Sequence, residues 1–434
     1  MNIDIRQSLH TGSMNLFQIV AVTVCVLISF IDGFDVLAIA FTGPSITAQW
    51  GLSPEQLGLL FSSGLAGMVA GALLLSPLAD KFGRRFIVLT CLAILSLGMF
   101  ASGLSDSYEQ LITLRIITGL GMGAILPAIN TVVAEYSSNQ YRSLAISIMA
   151  AGYTVGAMVG GILSIYLINS YGWRYVFFFG GAFSLLLIPI VIYQLPESLD
   201  FLLNSQNKQR LTKLNQLLVR LGLPTQTSYP EVTCRTNKQS QNAFKLLFTP
   251  AMLKTTLLLC CSYFMLMCSF YFLTNWTPKI LVNLGYSTQT SITGSILMNL
   301  CGIVGGLSLG WLSRRYSVQV VTAVMLIVGF VAVVLFGFSQ NVLIILLSLI
   351  TLIGFTLFGA MAGLYATAPK VFPAEIRTTG TGFVLGIGRL GATIGPYLAG
   401  ILIAANWSME SYFTALGLPL IISALCIWLI RKIA

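Results

Sequence analysis

Twelve apolar runs, each long enough to cross a lipid bilayer, constrain this chain more than any other feature. They lie near 15–43, 56–79, 86–104, 109–134, 143–169, 174–195, 252–282, 289–312, 318–338, 342–369, 378–404 and 410–430. A helix needs about 20 apolar residues to cross the hydrocarbon layer. No water is available there, so backbone groups must pair within the segment and each run is expected to be α-helix. The sequence lacks the ~10-residue alternation of a membrane β-barrel. Hydrophobic residues make up 56% of the chain and charged residues 8%, against about 25% charged in a soluble domain. The expectation is an all-α integral membrane protein.

A net charge of +10 invites a nucleic-acid reading, but the distribution of the charge excludes it. With the N-terminus placed in the cytoplasm and sides alternating, only Arg174 and Lys279 fall outside. Arg115 and Arg389 fall within spans, and the rest of the 23 basic residues lie on the cytoplasmic side. This asymmetry orients membrane proteins and puts both termini in the cytoplasm. The first run is too long for the apolar core of a signal peptide and carries two acids, so it reads as a retained span.

The eight cysteines show no metal-ligand spacing and no pairing in the outer loops, so they read as small packing residues. Cys234 sits in the central loop and the other seven in spans. No metal or cofactor is expected. The only histidine, His10, is in the N-terminal tail, so proton movement within the membrane must run through carboxylates.

Six spans precede a loop near 196–248 and six follow it. The division expected is an N-terminal bundle over 1–195, a cytoplasmic linker over 196–250 and a C-terminal bundle over 251–434. Leu211, Leu214, Leu217 and Leu218 give the linker the spacing of a short amphipathic helix on the inner membrane face. The halves echo one another. Arg142 precedes Gly160-Gly161 by 18 and 19 residues, and Arg377 precedes Gly395-Pro396 by the same intervals. Repeated six-span units mark secondary transporters, whose sites lie between repeats near the midplane.

Between spans two and three stands LSPLADKFGRR, Leu75 to Arg85. It resembles the loop of the major facilitator superfamily, G-x-L-a-D-r-x-G-r-[kr], with Asp80, Gly83, Arg84 and Arg85 matching and Ser76 in place of the leading glycine. A tight turn at Gly83, with Asp80 free to pair with arginines or a helix end, makes a conformational latch. In the second half GWLSRRYS puts Arg314 at the aspartate position, so no equal latch is expected there. In span five GYTVGAMVGG resembles the antiporter-type g-x-x-x-G-P-x-x-G-G motif, but Ala157 replaces the proline; close helix packing is the preferred reading.

Three charged positions inside spans point to chemistry. Span one carries SFIDGFDVLA, with Asp32 and Asp35 three residues apart and so on one helix face. Two close carboxylates in low dielectric resist double ionisation, the property a proton carrier needs. The alternative is a helix break at Gly33 with the acids capping it. Arg115 opens RIITGLGMG in span four, whose glycines read as packing positions. An unpaired arginine in hydrocarbon costs roughly 2.5–3.5 kcal/mol on insertion scales, so Arg115 must find an anion or snorkel out. Arg389, in span eleven's GFVLGIGRLGATIGPYLAG, is about twelve residues past Arg377 and near the midplane. A glycine-lined helix with one central arginine suits an anionic ligand, by bidentate pairing with a carboxylate.

GWRYVFFFGG at span six, PESLDFLL after it and PAEIRTTGTGF before span eleven complete the picture. With D-G-F-D and G-x-G-R-x-G-A, the whole chain resembles the aromatic acid:proton symporters of the major facilitator superfamily. The resemblance implies twelve helices in two bundles, bacterial inner-membrane location, and import of a benzoate-, hydroxybenzoate-, hydroxycinnamate- or muconate-like carboxylate. It places functional acids on Asp32, Asp35 and Glu135 and functional arginines on Arg115 and Arg389. Asn130, Tyr153, Phe270, Trp276 and Asn299 are candidates to pack the substrate ring. P-E-S and P-A-E-I-R also resemble sugar porters, but span seven lacks the amide cluster a sugar needs. Drug efflux would use the acids and leave the arginines unexplained. A sensor or membrane enzyme finds no support in phosphate loops, metal clusters or a nucleophile set. The expected partners are an organic anion, a proton and the bilayer, with the protein a monomer.

Overall fold

The computed structural model describes residues 14–203, 208–221, 245–339, 342–373 and 376–431. His10, Cys234 and Glu375 lie outside the described residues. Among those described, twelve helices are long and apolar enough to cross a membrane. Spans one to six are Leu16–Trp50, Pro54–Leu74, Arg84–Gly103, Tyr108–Tyr136, Arg142–Tyr171 and Arg174–Gln194. Spans seven to twelve are Pro250–Asn283, Thr288–Leu312, Val318–Phe338, Leu343–Val371, Arg377–Ala404 and Met409–Arg431. Their ends follow local chemistry. At span two, Ser53 and Gln56 cap reciprocally: Gln56 N donates to Ser53 Oγ at 3.2 Å and Ser53 N to Gln56 Oε1 at 2.9 Å.

Span one does not break at Gly33; it runs unbroken for 35 residues, through Pro44. Gly33 is needed for a different reason. A Cβ there would collide with the backbone carbonyl of Tyr153 in span five.

Contacts group the chain into two units. One holds 1–35, 67–157 and 174–235; the other holds 36–66, 158–173 and 236–434. In the first unit the predicted linker helix forms at Lys208–Leu221. Its Leu214, Leu217, Leu218 and Leu221 are buried by protein rather than by lipid. Asn15 Nδ2 donates to the Leu221 carbonyl at 3.4 Å, and the Arg220 guanidinium lies 5.9 Å from the Phe17 ring centre, so the helix is fastened to the start of span one.

The repeat is visible as an offset of 234 or 235 residues. Spans one and seven end at Gly51 and Gly285, and spans five and eleven at Gly172 and Asn406, all with positive φ between 58° and 98°. Each pair is 234 apart in the chain. Inside the units, Gly156 meets the Phe30 carbonyl and Gly391 meets the Phe264 carbonyl; Gly71 meets that of Leu120 and Gly305 that of Phe355. Spans one and five therefore cross as spans seven and eleven do, and two and four as eight and ten do. Each crossing brings backbone against backbone at a position where only glycine fits, the means by which helices associate where lipid offers no hydrophobic drive.

Candidate functional site

Spans one, three, four and six enclose the acids in the first unit. Arg115 is 1% exposed and Asp35 is 0% exposed. Arg115 Nη1 donates to Asp35 Oδ1 at 2.8 Å, and Nη2 donates to Asp35 Oδ2 at 3.4 Å and to the Asp35 carbonyl at 3.2 Å. Its guanidinium also lies 5.8 Å from the Phe177 ring centre, a cation–π distance. Arg115 therefore does not snorkel; it meets its anion inside the protein. Asp32 lies on the same face of span one, fully buried, within electrostatic reach of Cys91 in span three. Two carboxylates of span one and one guanidinium of span four are thus buried within the first unit. A buried pair of this kind is strongly destabilised when one partner is removed, because the other charge is left uncompensated.

Glu135, at the end of span four, is engaged with the segment after span six. Its carboxylate accepts from Ser198 Oγ at 2.9 Å and from Leu199 N at 2.8 Å, at the start of the short helix Leu199–Leu203. The neighbouring Tyr136 donates its hydroxyl to the Glu197 carbonyl at 2.6 Å. Glu197 in turn accepts from Arg85 N at 3.1 Å, and Arg85 Nη2 donates to the Ile192 carbonyl. Gly83 holds φ 103° directly against the Glu197 carboxylate, a backbone conformation that other residues rarely adopt. Arg84 is half-buried, within electrostatic reach of Glu135. The loop motif and the P-E-S segment are thereby one structure. The Asp80 side chain lies outside what is described.

In the second unit, span eleven has three faces. Gly388, Gly391 and Gly395 pack on span seven, against Tyr263 and Met267, the Phe264 carbonyl and the Cys268 carbonyl. Leu390, Ile394, Leu398 and Ile401 form an exposed apolar face, as lipid requires. The third face carries Gly382, Gly386, Arg389 and Thr393, and a Cβ at either of those glycines would meet nothing within 4 Å. The expectation that glycines line the approach to Arg389 is thus divided. Three of them are taken up by span seven, and two leave the arginine's own face bare.

Beside this face, aromatic rings pair between spans seven and ten. Tyr263 and Tyr365 have ring centres 5.9 Å apart, and Phe270 and Phe358 have theirs 4.9 Å apart. Within each span the two rings are seven residues apart, so the antiparallel helices carry two rungs two turns apart. Tyr365 is within electrostatic reach of Arg389. Trp276 is sealed instead of presented: it is 1% exposed, donates Nε1 to the Pro396 carbonyl at 2.9 Å and meets the edge of Phe61 at 5.5 Å. Asn299 is buried, its amide donating to the Ser295 carbonyl of its own helix at 2.8 Å. In the first unit, Asn130 is exposed and Tyr153 half-buried.

The profile of the Major Facilitator Superfamily matches residues 25–385 and 319–433. The chain belongs to the major facilitator superfamily. Relatives of this transporter include the 4-hydroxybenzoate transporter PcaK of Pseudomonas aeruginosa, 31% identical over 96% of this chain and 93% of that protein. The gallate transporter of Pseudomonas putida is 33% identical over 98% and 94%. The benzoate transport protein of Acinetobacter baylyi is 29% identical over 99% and 93%. Among solved structures, the inward-facing, occupied bacterial homolog of the lysosomal transporter Spinster superposes with a TM-score of 0.74 at 18% identity, covering 98% of both chains. The partially occluded xylose transporter XylE of E. coli gives 0.73 at 16%, covering 95% of this chain and 98% of that one. Both show the fold. The transporter is a multi-pass membrane protein and not an enzyme.

Sequence reading did not find the ring rungs of this transporter, although equal seven-residue spacing in Tyr263–Phe270 and Phe358–Tyr365 was there to be matched. It also missed Glu197, whose only signal was its place in P-E-S.

Proposed function

We propose that this transporter imports a small aromatic carboxylate together with a proton by alternating access, across the bacterial inner membrane with both termini in the cytoplasm. The functional division is the one expected from sequence: a bundle over 1–195, a linker over 196–250 and a bundle over 251–434, acting as a monomer. The substrate class is suggested by the relatives, which carry benzoate, 4-hydroxybenzoate and gallate. The observation that carries the coupling half is the burial of Asp32, Asp35 and Arg115 within the first unit. Close carboxylates in low dielectric resist double ionisation, the property a proton carrier needs. Arg389, on the bare face of span eleven, holds the substrate carboxylate by paired N–H donors. Arg115 holds Asp35 as its counter-ion. Tyr153 and Asn130 in the first unit and Phe270 in the second are the candidates to meet the ring, with Trp276 and Asn299 as buried support in the second, and Glu135 relays a proton or fastens the segment after span six. Asp80, Gly83, Arg84 and Arg85 form the latch. Export is the second reading, and Ala157 in place of the antiporter-type proline weighs against it.

One proton with one monoanion moves no net charge, so the pH gradient alone drives accumulation. A second proton would add about 2.3 kcal/mol per 100 mV. In proteoliposomes with an acidic exterior, labelled benzoate or 4-hydroxybenzoate should accumulate inside. The Asp32→Asn variant should still exchange substrate by counterflow but lose accumulation. Full accumulation by Asp32→Asn would remove the coupling assignment.

A further inference from the structure

Tyr263 is a large buried residue of the second unit. It is 0% exposed, and its hydroxyl has no hydrogen-bond partner among the described residues. Burying such a donor unpaired is unfavourable, and a phenylalanine would fill the same space without that cost. Its surroundings show what the hydroxyl could serve. Its Cβ packs on Gly388, 3.2 Å from where a side chain would begin, and Arg389 is the next residue. Its ring tilts against Tyr365, which is 42% exposed and within electrostatic reach of Arg389. Two helical turns along the same pair of spans stands the wholly apolar rung, Phe270 with Phe358. The two rungs differ in one respect: the one beside the glycine-packed base of Arg389 ends in phenols, the other in hydrocarbon.

We propose that Tyr263 is a specificity-determining residue, whose hydroxyl pairs with a hydroxyl group on the ring of the transported acid while Arg389 holds the carboxylate. The assignment rests on the aromatic-carboxylate reading above and adds the chemical class that this site prefers, ring-hydroxylated acids over unsubstituted ones. A donor without a partner among the described residues gains one from a substrate that carries an oxygen at that place. An unsubstituted ring leaves it unpaired, and discrimination of this kind exceeds what shape alone achieves.

The test is calorimetric binding of benzoate, 4-hydroxybenzoate and 3,4,5-trihydroxybenzoate to the purified full chain and to Tyr263→Phe. The unaltered protein should bind a hydroxylated acid at least about tenfold more tightly than benzoate, equivalent to about 1.4 kcal/mol. Tyr263→Phe should erase that preference by weakening the hydroxylated acid about tenfold, with benzoate unchanged or slightly tighter. Thermal unfolding without ligand supplies a second readout: losing an unpaired buried hydroxyl should leave the midpoint unchanged or raise it. Equal weakening of all three acids, an undiminished preference in Tyr263→Phe, or a lowered unliganded midpoint would each overturn the assignment. If the unaltered protein binds all three acids equally and Arg389→Lys weakens them all, only the role of Tyr263 falls. If it binds none of them, the transport reading falls as well.

Discussion

The seam between spans one and five and the seam between spans seven and eleven are one piece of backbone architecture used twice. Gly156 on Phe30 and Gly391 on Phe264 are the same crossing, displaced by 235 and 234 residues. What the two seams carry differs completely. At the same offsets Asp32 and Asp35 correspond to Leu266 and Ser269, and Arg115 corresponds to Ile350. Arg389 corresponds to Thr154. Each of these buried charges of the first half is neutral in the second, and the arginine of span eleven is neutral in the first. Glycine crossings set how the helices approach, and chemistry is then distributed unequally on them: acids with a fixed counter-ion in one half, an arginine on an open face in the other. A symmetrical scaffold with an asymmetrical charge set suits the symport of acid and proton proposed above.

The largest effect that could break this comparison is at the ion pair. Arg115→Leu leaves Asp35 charged and fully buried, so the stability loss should be about 3–5 kcal/mol. At the corresponding place, Ile350→Leu should cost less than about 1.5 kcal/mol. Replacing both members, Asp35→Leu with Arg115→Leu, should recover most of the stability, since apolar replacement of a buried pair is often neutral, while accumulation stays lost. Unfolding of the purified proteins in detergent, with uptake measured in parallel, separates the two consequences. A double variant as unstable as the single one would mean the pair is structural and not an isolated electrostatic unit.

The glycine crossings come next, at about 1–3 kcal/mol for forcing a side chain into an occupied space. Gly156→Ala and Gly391→Ala should destabilise by similar amounts, because each Cβ is directed at a carbonyl of the facing helix. A large inequality between them would show that one seam relaxes where the other cannot, and would limit the equivalence to geometry at rest.

How much of this was legible beforehand follows from which forces are local. The twelve spans were readable because lipid demands long apolar helices, and their ends shifted by only a few residues, except that span one continues to Trp50. The charged positions were readable for the same reason: an arginine or aspartate in hydrocarbon has few explanations. Asp35 and Arg115 could each be placed inside a span, but their contact depends on how span four packs on span one, which no single-span pattern contains. A break at Gly33 stood open as the alternative because a glycine's value at a crossing is set by the facing helix, here the carbonyl of Tyr153. The glycines of span eleven could not be assigned to faces until span seven was in place. The linker helix was recognised from its leucines, yet its periodicity alone did not say whether protein or lipid covers that face.

The smallest expected effect isolates function from stability. Gly386 stands one turn from Arg389 on the bare face of span eleven, where an added methyl group meets nothing within 4 Å. Gly386→Ala should therefore stabilise the helix, by roughly 0.5–1 kcal/mol, because alanine loses less backbone freedom than glycine on folding. The same methyl stands on the approach to the guanidinium. Uptake should show a raised KM for ring-bearing acids and a smaller change for acetate, which has no ring to crowd. Gly391→Ala, on the packed face five residues on, should show the reverse pattern, with stability falling and the ratio of ring-bearing to small acids unchanged. If Gly386→Ala instead left the KM of every acid unaltered while stabilising the protein, the bare face would be only an unfilled helix surface, and the proposed role of Arg389 in holding substrate would lose its support.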